Sequence, residues 1–572
     1  MTRFPDPASL SVVRPPWSRV LWAGILYTGC TLLFFYPLFA RFTTALIGPP
    51  EDNMQDLWNT WYSQVALASD PQLLFRTRML YFPEGSTLVY HSFAYPNVAA
   101  IFLLRALFGL SLDPGVLVGL HNLMLLLAFP LAALGAFVLT WQFTKQFPTA
   151  LVGGYLFAFS PFHFAQTLHH MGVATIQFIP WFVLCVWGYL NRGTLAAYLS
   201  AVLLFALSAL ASWYCLFYNA YFIALYYGYY AFKRRAWWLK DTAWRLLAIL
   251  AGAAAVLSPW IVPMAIQGVG NPHAYRGGHD LFVADLVGFA LFHPYHLLSG
   301  VTQPINARLQ GNPWEMSVYL GLINLALLAW GVRHRKTMPR ALAFALIGMA
   351  FFMLMAAGRS LHVLGHSVPG LYLPTALTEH LPFFGNVRTP SRAIVYVYLF
   401  LGVAIGCILK ALCFDPGARR YRWQRHAGTR RALAAVLALG IFLDYYSIVR
   451  ETTPVACPPA YDLIRRDTER PAAVLDLPTT YLTGNRAMMA QIFHQHPIVH
   501  ASISRKLAPS LIDNLAFDDL DLQQRQLREA GVRYIVLHKR MPPGRRRLDQ
   551  VAYARRYRTV HEDGDHAVFR TD

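Results

Sequence analysis

Charged residues and cysteines are scarce in this chain. Only 14% of its 572 residues are Asp, Glu, Lys or Arg, whereas an ordinary soluble protein carries roughly 25%. The six cysteines show no CxxC or Cys/His spacing, which argues against a zinc site or a disulfide framework. We also find no internal repeat with a period of roughly 20–50 residues, the signature of repeat architectures.

The chain is instead rich in apolar residues. They make up 56% of the chain, and several runs approach or exceed the roughly 18 residues that cross a bilayer. The first run is too long for a cleaved signal peptide. We therefore predict a polytopic α-helical membrane protein with about eleven transmembrane helices, at residues 19–40, 114–141, 148–165, 171–190, 195–212, 214–232, 245–266, 315–332, 340–357, 392–413 and 432–449. The stretch 97–111, which contains Arg105, fits an interfacial helix, a re-entrant segment or an extra span.

The net charge of +20 is distributed as in a membrane protein rather than a nucleic-acid-binding protein. Lys and Arg collect in short loops between spans, where the positive-inside rule places them in the cytoplasm, against anionic membrane lipids. We predict no nucleic-acid partner, a cytoplasmic N-terminus, and a location in the bacterial inner membrane. The same alternation puts the acidic first loop and the C-terminal region outside.

The C-terminal region, 450–572, differs in composition from the rest. It is more polar and has short β-like runs at 473–477, 497–500, 532–537 and 566–569, with a helical pattern near 520–530. This order predicts a small extracytoplasmic α/β domain. The predicted organisation is a cytoplasmic tail at 1–18, a membrane domain at 19–449 with outer loops at 41–96, 267–314 and 358–391, and this α/β domain.

An acidic cluster follows the first apolar run. Glu51, Asp52 and Asp56 lie within six positions, and carboxylates beside a bilayer are costly unless they face water, a cation or a substrate. A general base for a hydroxyl acceptor needs such a carboxylate within hydrogen-bond reach. These three are the candidate catalytic residues.

Aromatic and histidine side chains accompany the cluster. Helical spacing puts three aromatic residues on one face, which also suits an interfacial anchor; they are Trp58, Trp61 and Tyr62. The loop continues to Tyr90 and His91. We take Trp58, Tyr90 and His91 as candidate substrate-binding residues.

Three further segments offer polar side chains on the predicted outer side. A cluster at the end of a span could line a cavity or form a wet turn; it contains His163, Gln166, His169 and His170. The long 267–314 loop could be a lid or a solvated loop, and it carries Arg276 and His279, with Glu315 just beyond it. Arg388 and Arg392 oppose the positive-inside bias; they could bind a lipid-carrier phosphate or anchor to headgroups.

Together these motifs resemble the GT-C superfamily of integral-membrane glycosyltransferases, and more closely a set of bacterial GT-C-like membrane proteins. The resemblance covers most of the chain. Its motifs are Asp52 with Trp58 and Trp61, 282–286 with His293 and Pro294, Trp314 and Glu315 with 319–321, 388–392, and 474–478 with Gln491 and His494.

The resemblance implies an inverting glycosyltransferase. It would use a polyprenyl-phosphate sugar donor, and a first-loop Asp would act as base on a glycan, lipid or protein acceptor. Asp52 fits that role best and Asp56 is the fallback. Some superfamily members bind a divalent metal such as Mg²⁺ or Mn²⁺ through acidic motifs, but the co-located ligands here are too few to assign a metal site. The alternatives are a non-catalytic envelope assembly protein and a lipid or glycan transporter.

Overall fold

The computed structural model describes residues 13–235, 238–271, 274, 280–335, 338–378, 380–381, 385, 387–415, 426–468, 472–542 and 548–572. Helices predominate in this part of the chain. They are α1 (Trp17–Phe34), α2 (Asp52–Ser69), α3 (Tyr95–Phe108), α4 (Pro114–Thr144), α5 (Phe147–Ala158), α6 (Pro161–His169), α7 (Met171–Ala174), α8 (Phe178–Arg192), α9 (Leu195–Ala211), α10 (Trp213–Arg234), α11 (Lys240–Gly268), α12 (Ser299–Asn306), α13 (Leu322–Arg333), α14 (Arg340–Ala356), α15 (Thr375–Thr378), α16 (Ile394–Leu409), α17 (Ala427–Asp444), α18 (Pro459–Arg465), α19 (Tyr481–His494), α20 (Leu511–Asn514), α21 (Leu520–Glu529) and α22 (Gln550–Arg556).

The strands are short and lie in the loops between the long helices and in the C-terminal region. They are β1 (Ala45–Ile47), β2 (Arg76–Thr77), β3 (Ser86–Thr87), β4 (Ser360–Val363), β5 (His366–Tyr372), β6 (Thr452–Pro454), β7 (Ala473–Leu477), β8 (Val532–His538), β9 (Arg558–Glu562) and β10 (His566–Arg570). Three of the four β-like runs expected near the C-terminus are strands, and the fourth, 497–500, contributes only isolated bridges at Ile498. β9 was not predicted, because its residues are mostly polar and no apolar face marks it.

Among the described residues, three helical segments are long and apolar enough to cross a membrane: Pro114–Thr144, Lys240–Gly268 and Pro390–Phe414. The last is α16 with a short 3₁₀ turn before it and a π turn after it. Helices also occupy every other predicted span, and α3 occupies the ambiguous 97–111 stretch. A helix-rich membrane-type fold is therefore confirmed, while the number of eleven spans stays a prediction.

Some predicted spans are not single helices. The 148–165 span is divided between α5 and α6 at Ser160 and Pro161, because proline lacks the N–H that would continue the α5 hydrogen bonds and suits the first turn of a new helix. The 171–190 span likewise contains α7 and α8. The 315–332 span becomes helical only at Leu322, after Gly321 at φ 92°, so Glu315 lies in a non-helical segment.

The chain forms two compact units. The first comprises Met1–Tyr36, Met124–Ile261 and Tyr275–Val449, and α16 is its centre, because all sixteen residues of that helix are buried. α16 packs against α5, α13 and α14. Gly402 allows the closest approach, since a Cβ there would lie 2.5 Å from the Gly153 carbonyl oxygen of α5. Small residues commonly bring membrane helices this close.

The second unit comprises Pro37–Leu123, Val262–Ala274 and Arg450–Asp572. Its largest sheet has the strand order β7-β8-β10-β9, with β7 parallel to β8 and β10 antiparallel to both of its neighbours. Side chains such as Leu475, Ile535 and Phe569 form its core together with Leu527 of α21. A C-terminal α/β fold was predicted from the strand–helix–strand order and is present.

The first loop and the C-terminal region pack together within this second unit. β1 pairs with β6, with Leu46 opposite Thr453, and α2 packs along α19. Ile498 bridges Leu80 on one side and Val474 of β7 on the other. This packing positions the acidic cluster.

Candidate functional site

Asp52 is the first residue of α2, and the turn before it is fixed by Asn53. The Asn53 amide donates to the Ile47 carbonyl at 3.0 Å and to Thr453 Oγ1 at 3.3 Å. Its Oδ1 accepts from the Glu51 N–H at 3.2 Å. The half-buried Asp52 carboxylate therefore sits at a helix N-terminus, where the helix dipole favours a negative charge.

Two side chains of α19 contact Asp52. The Tyr481 hydroxyl donates a hydrogen bond to Asp52 Oδ1, and Asn485 Nδ2 donates to the same oxygen at 3.5 Å. Tyr481 and Asn485 are four residues apart, which puts them on one face of their helix. We call Asp52, Tyr481 and Asn485 the first-loop site. Both of these donors are uncharged.

Asp56 belongs to a hydrogen-bond chain one turn further along α2. Its Oδ1 accepts from Asn59 Nδ2 at 3.4 Å, and Asn59 Oδ1 accepts from His91 Nε2 at 2.7 Å. His91 Nδ1 accepts in turn from the Ser504 N–H at 3.3 Å. Burial lowers the pKa of His91 to about 3. His91 is thus a neutral imidazole that links the first loop to the C-terminal region.

The predicted aromatic residues of the first loop are packing residues in this structure. Trp58 is fully buried, stacks on Tyr62 at a centroid distance of 4.5 Å, and donates from Nε1 to Gln491 Oε1 at 2.7 Å. Trp61 is also buried, so this face of α2 is not an exposed interfacial anchor. The Tyr90 hydroxyl donates to the Met264 carbonyl at 2.5 Å.

A second carboxylate, Glu315, lies in the first unit and has a charged partner. Arg392 donates to Glu315 Oε1 from Nε at 3.0 Å and from Nη2 at 2.5 Å. Glu315 is buried, with 3% of its side chain exposed, and Arg392 is mostly buried, with 12% exposed. The guanidinium also lies 4.7 Å from the centre of the Tyr214 ring. A buried cation with this pairing is neutralised by the protein itself.

Neutral groups complete the environment of Glu315. Gln166 Nε2 donates to Oε2 at 3.3 Å and Ser391 Oγ donates to the same oxygen at 3.4 Å, while His170 Nε2 lies 4.0 Å from Oε1. We call these residues, together with Arg392, the Glu315 cluster. Three residues predicted from separate segments, His170, Glu315 and Arg392, therefore come together, as does Gln166.

The remaining predicted histidines of the first unit pack against aromatic rings. His163 stacks on Phe129 at 4.0 Å, and its Nδ1 lies 2.6 Å from the Ala158 carbonyl at the end of α5. His169 stacks on Trp314 at 4.1 Å, with Nε2 2.9 Å from the Tyr295 hydroxyl. Both rings stabilise the α5–α6 region.

Three polar residues predicted on the outer side remain: Arg276, His279 and Arg388. Arg388 is exposed, and its charge acts on His170 of the Glu315 cluster. Arg276 and His279 lie outside the described residues, so their roles stay predictions. In the described part of the chain, no three His, Cys, Asp or Glu side chains are close enough to share a metal ion, and no ligand set for Mg²⁺ or Mn²⁺ is assigned.

Tyr481 and Asn485 were not predicted from the sequence. They are separated from Asp52 by 429 and 433 positions. The only sequence signal on their helix is indirect, because Gln491 and His494 of α19 belong to the motifs of the resemblance. Ser391 was noted only as part of the 388–392 motif.

The fold is similar to that of known membrane proteins. ArnT from Cupriavidus metallidurans matches with a TM-score of 0.50 and 14% identity, over 95% of this chain and 98% of ArnT. Archaeal oligosaccharyltransferase AglB from Archaeoglobus fulgidus, in complex with an inhibitory peptide and a dolichol-phosphate, matches with a TM-score of 0.48 and 11% identity, over 91% of this chain and 69% of AglB. ArnT and AglB are both GT-C superfamily proteins. The match to ArnT shows that the chain has a GT-C-type fold, as the resemblance predicts.

The sequence itself matches one family. No curated protein is matched, but the profile of a family described as "Domain of unknown function (DUF6311)" matches residues 53–414. Because this match covers more than half of the chain, the protein belongs to the DUF6311 family.

Proposed function

We propose that this protein is an inverting membrane glycosyltransferase. It takes a sugar from a polyprenyl-phosphate donor and transfers it to a hydroxyl group of an extracytoplasmic glycan, lipid or protein. Its GT-C fold and its apolar helices support a membrane enzyme of this class. The proposed location is the bacterial inner membrane, with the first loop and the C-terminal region on the outer side.

In the proposed reaction, Asp52 accepts the proton of the acceptor hydroxyl. The acceptor oxygen forms a bond to the anomeric carbon, the bond from that carbon to the phosphate oxygen breaks, and the lipid phosphate leaves with the electron pair. The proton on Asp52 then passes to solvent. A phosphate leaving group needs little acid assistance, so one carboxylate suffices.

One observation carries the assignment of Asp52: its Oδ1 accepts a hydrogen bond from the Tyr481 hydroxyl. The carboxylate is therefore oriented to receive a proton from a hydroxyl group, as a general base must be. Asp56 is the weaker candidate, because Asn59 links it to the buried His91. Glu51 precedes α2 and supplies its N–H to Asn53.

The same contact also fits a second function. A carboxylate held by Tyr481 and Asn485 could serve only to join the first loop to α19, as in a non-catalytic envelope assembly protein. In that case loss of the charge would affect stability and partner binding but no chemical step.

Sugar transfer from a panel of radiolabelled polyprenyl-phosphate sugars to membrane extract separates the two functions. We expect wild type and Asp70→Asn to transfer sugar and Asp52→Asn to lose about 10²–10⁴-fold in rate, the usual contribution of a general base. Asp70 is the matched control because it lies directly after the other end of α2 and is exposed.

Asp56→Asn should retain most of the activity if Asp52 is the base. Transfer that is absent from wild type across the panel, or unchanged in Asp52→Asn, would contradict the glycosyltransferase assignment and favour the assembly protein.

A further inference from the structure

The side-chain amide of Asn485 is fully buried but only partly hydrogen-bonded. Its nitrogen donates to Asp52, but in the described part of the structure its Oδ1 has no hydrogen-bond partner. Buried polar atoms are nearly always paired, because an unpaired one forfeits its hydration. An acceptor atom therefore lies beside the proposed base, and none of the described residues donates a hydrogen bond to it.

Tyr481 contacts the same carboxylate from a more exposed position. Its side chain is 59% exposed, and its hydroxyl donates to Asp52 Oδ1, which is the hydrogen bond that an acceptor hydroxyl would make. The ring can rotate into solvent without disturbing a core. Tyr481 thus marks where an incoming hydroxyl binds.

Hydrogen bonds fix the backbone that carries these side chains. Ser502 Oγ donates to the Tyr481 carbonyl at 2.7 Å, and the Thr480 hydroxyl accepts from the Thr483 N–H at 3.2 Å. Gly484 allows this approach, since a Cβ there would be 2.5 Å from Ser502 Oγ. The exposed Tyr481 side chain can therefore move while the backbone of this segment stays in place.

We propose that Asp52, Asn485 and Tyr481 form the acceptor subsite, and that it recognises two neighbouring hydroxyls of a sugar ring. One hydroxyl replaces that of Tyr481 on Asp52, and the adjacent hydroxyl donates to Asn485 Oδ1. This inference rests on the proposed function and narrows the acceptor to a glycan or glycolipid that carries a vicinal diol.

The location of these residues has a consequence for specificity. The family match ends at residue 414, whereas Tyr481 and Asn485 belong to the C-terminal region. Residues outside the part of the chain that defines the family then determine which acceptor binds.

The test is binding of methyl pyranosides to the full-length protein, without any donor. Protein in lipid nanodiscs is titrated with methyl D-gluco-, D-manno- and D-galactopyranosides and with their 2,3-dideoxy counterparts, and binding is followed by saturation-transfer NMR. Nanodiscs are used because sugar-headed detergents would compete. We expect at least one diol to bind and its dideoxy form to bind about tenfold more weakly, as loss of a hydrogen bond predicts.

Variants assign that difference to the site. Asn485→Ala should weaken diol binding about tenfold and remove the preference over the dideoxy sugar. Tyr481→Phe, which loses the competing hydroxyl, should bind the diol more tightly. Asn324→Ala is the matched control, because Asn324 is also fully buried but lies in the first unit.

No binding by wild type, equal binding of diol and dideoxy sugars, or an unchanged Asn485→Ala would overturn the inference. These results do not depend on sugar transfer. An active enzyme whose acceptor KM is unaffected by Asn485→Ala would overturn the diol subsite and leave the proposed function standing. Diol binding without transfer would support the subsite and count against the enzyme.

Discussion

Each of the two units contains one carboxylate of interest, and the two carboxylates differ in burial and in the charge of their partners. Asp52 in the second unit is half-buried and has the neutral donors Tyr481 and Asn485. Glu315 in the first unit is buried and paired with Arg392. Glu315 and Arg392 neutralise each other inside the protein, whereas the two named donors to Asp52 carry no charge. From this comparison we propose Asp52 as the proton acceptor and a structural role for Glu315.

Removing the charge of Glu315 tests the structural half of this comparison. Glu315→Gln leaves the buried Arg392 without its counter-charge, and we expect a loss of about 3–5 kcal/mol in the free energy of unfolding. Denaturant titration of the purified protein measures it. Glu529→Gln, an exposed carboxylate on α21, should have little effect.

A double variant that replaces both Glu315 and Arg392 tests whether the ion pair causes the loss of stability. Glu315→Leu combined with Arg392→Met removes the buried charges together, and such exchanges are often neutral or stabilising. A double variant as unstable as Glu315→Gln would mean that the ion pair itself is not the source of the loss.

The second unit should also respond to pH through His91. The pKa of His91 is lowered to about 3 by burial, while an unfolded histidine titrates near 6.5. Between these values only the unfolded state binds the proton, so stability is complete above about pH 6.5 and falls as the pH drops. At pH 5 the loss is about 2 kcal/mol relative to pH 7.

His91→Gln should reduce the slope of stability against pH between 5 and 7, as measured by denaturation midpoints. A residual slope is expected, because burial also lowers the pKa of His500. The exposed His366→Gln serves as control. An identical slope in His91→Gln and wild type would show that His91 is not held neutral in the fold.

The two arginines near residue 390 should differ in function. Arg392 is neutralised by Glu315, so we expect the exposed Arg388 to be the phosphate ligand of the pair. Arg388→Gln should raise the donor KM about tenfold, which corresponds to one charge-assisted hydrogen bond, without changing stability. A donor KM that rises only in folded Arg392→Gln would reverse this assignment.

Helices were easier to predict from the sequence than contacts. Long apolar runs mark α4, α11 and α16, and alternating or β-branched runs mark β7, β8 and β10. The break at Pro161 is also a sequence signal, but it was outweighed by continuous hydropathy over 148–165. The hydropathy of a window does not report the loss of a single backbone hydrogen bond.

Only part of the candidate site could be predicted from the sequence. The acidic cluster stands out because carboxylates are rare beside apolar segments, and that argument selected Asp52. Tyr481 and Asn485 could not be found in this way, since their proximity depends on α19 packing along α2. Arg392 was predicted as a phosphate ligand because sequence position does not reveal that Glu315 already neutralises it.

The most direct test compares sugar transfer by Asp52→Asn and Glu315→Gln in one assay, with each rate normalised to folded protein. We expect the transfer rate of Asp52→Asn to fall by about 10²–10⁴-fold, as for a lost general base. The transfer rate of folded Glu315→Gln should stay within about tenfold of the wild-type rate. A folded Asp52→Asn with wild-type rate, beside an inactive but folded Glu315→Gln, would contradict the assignment of Asp52 as the base.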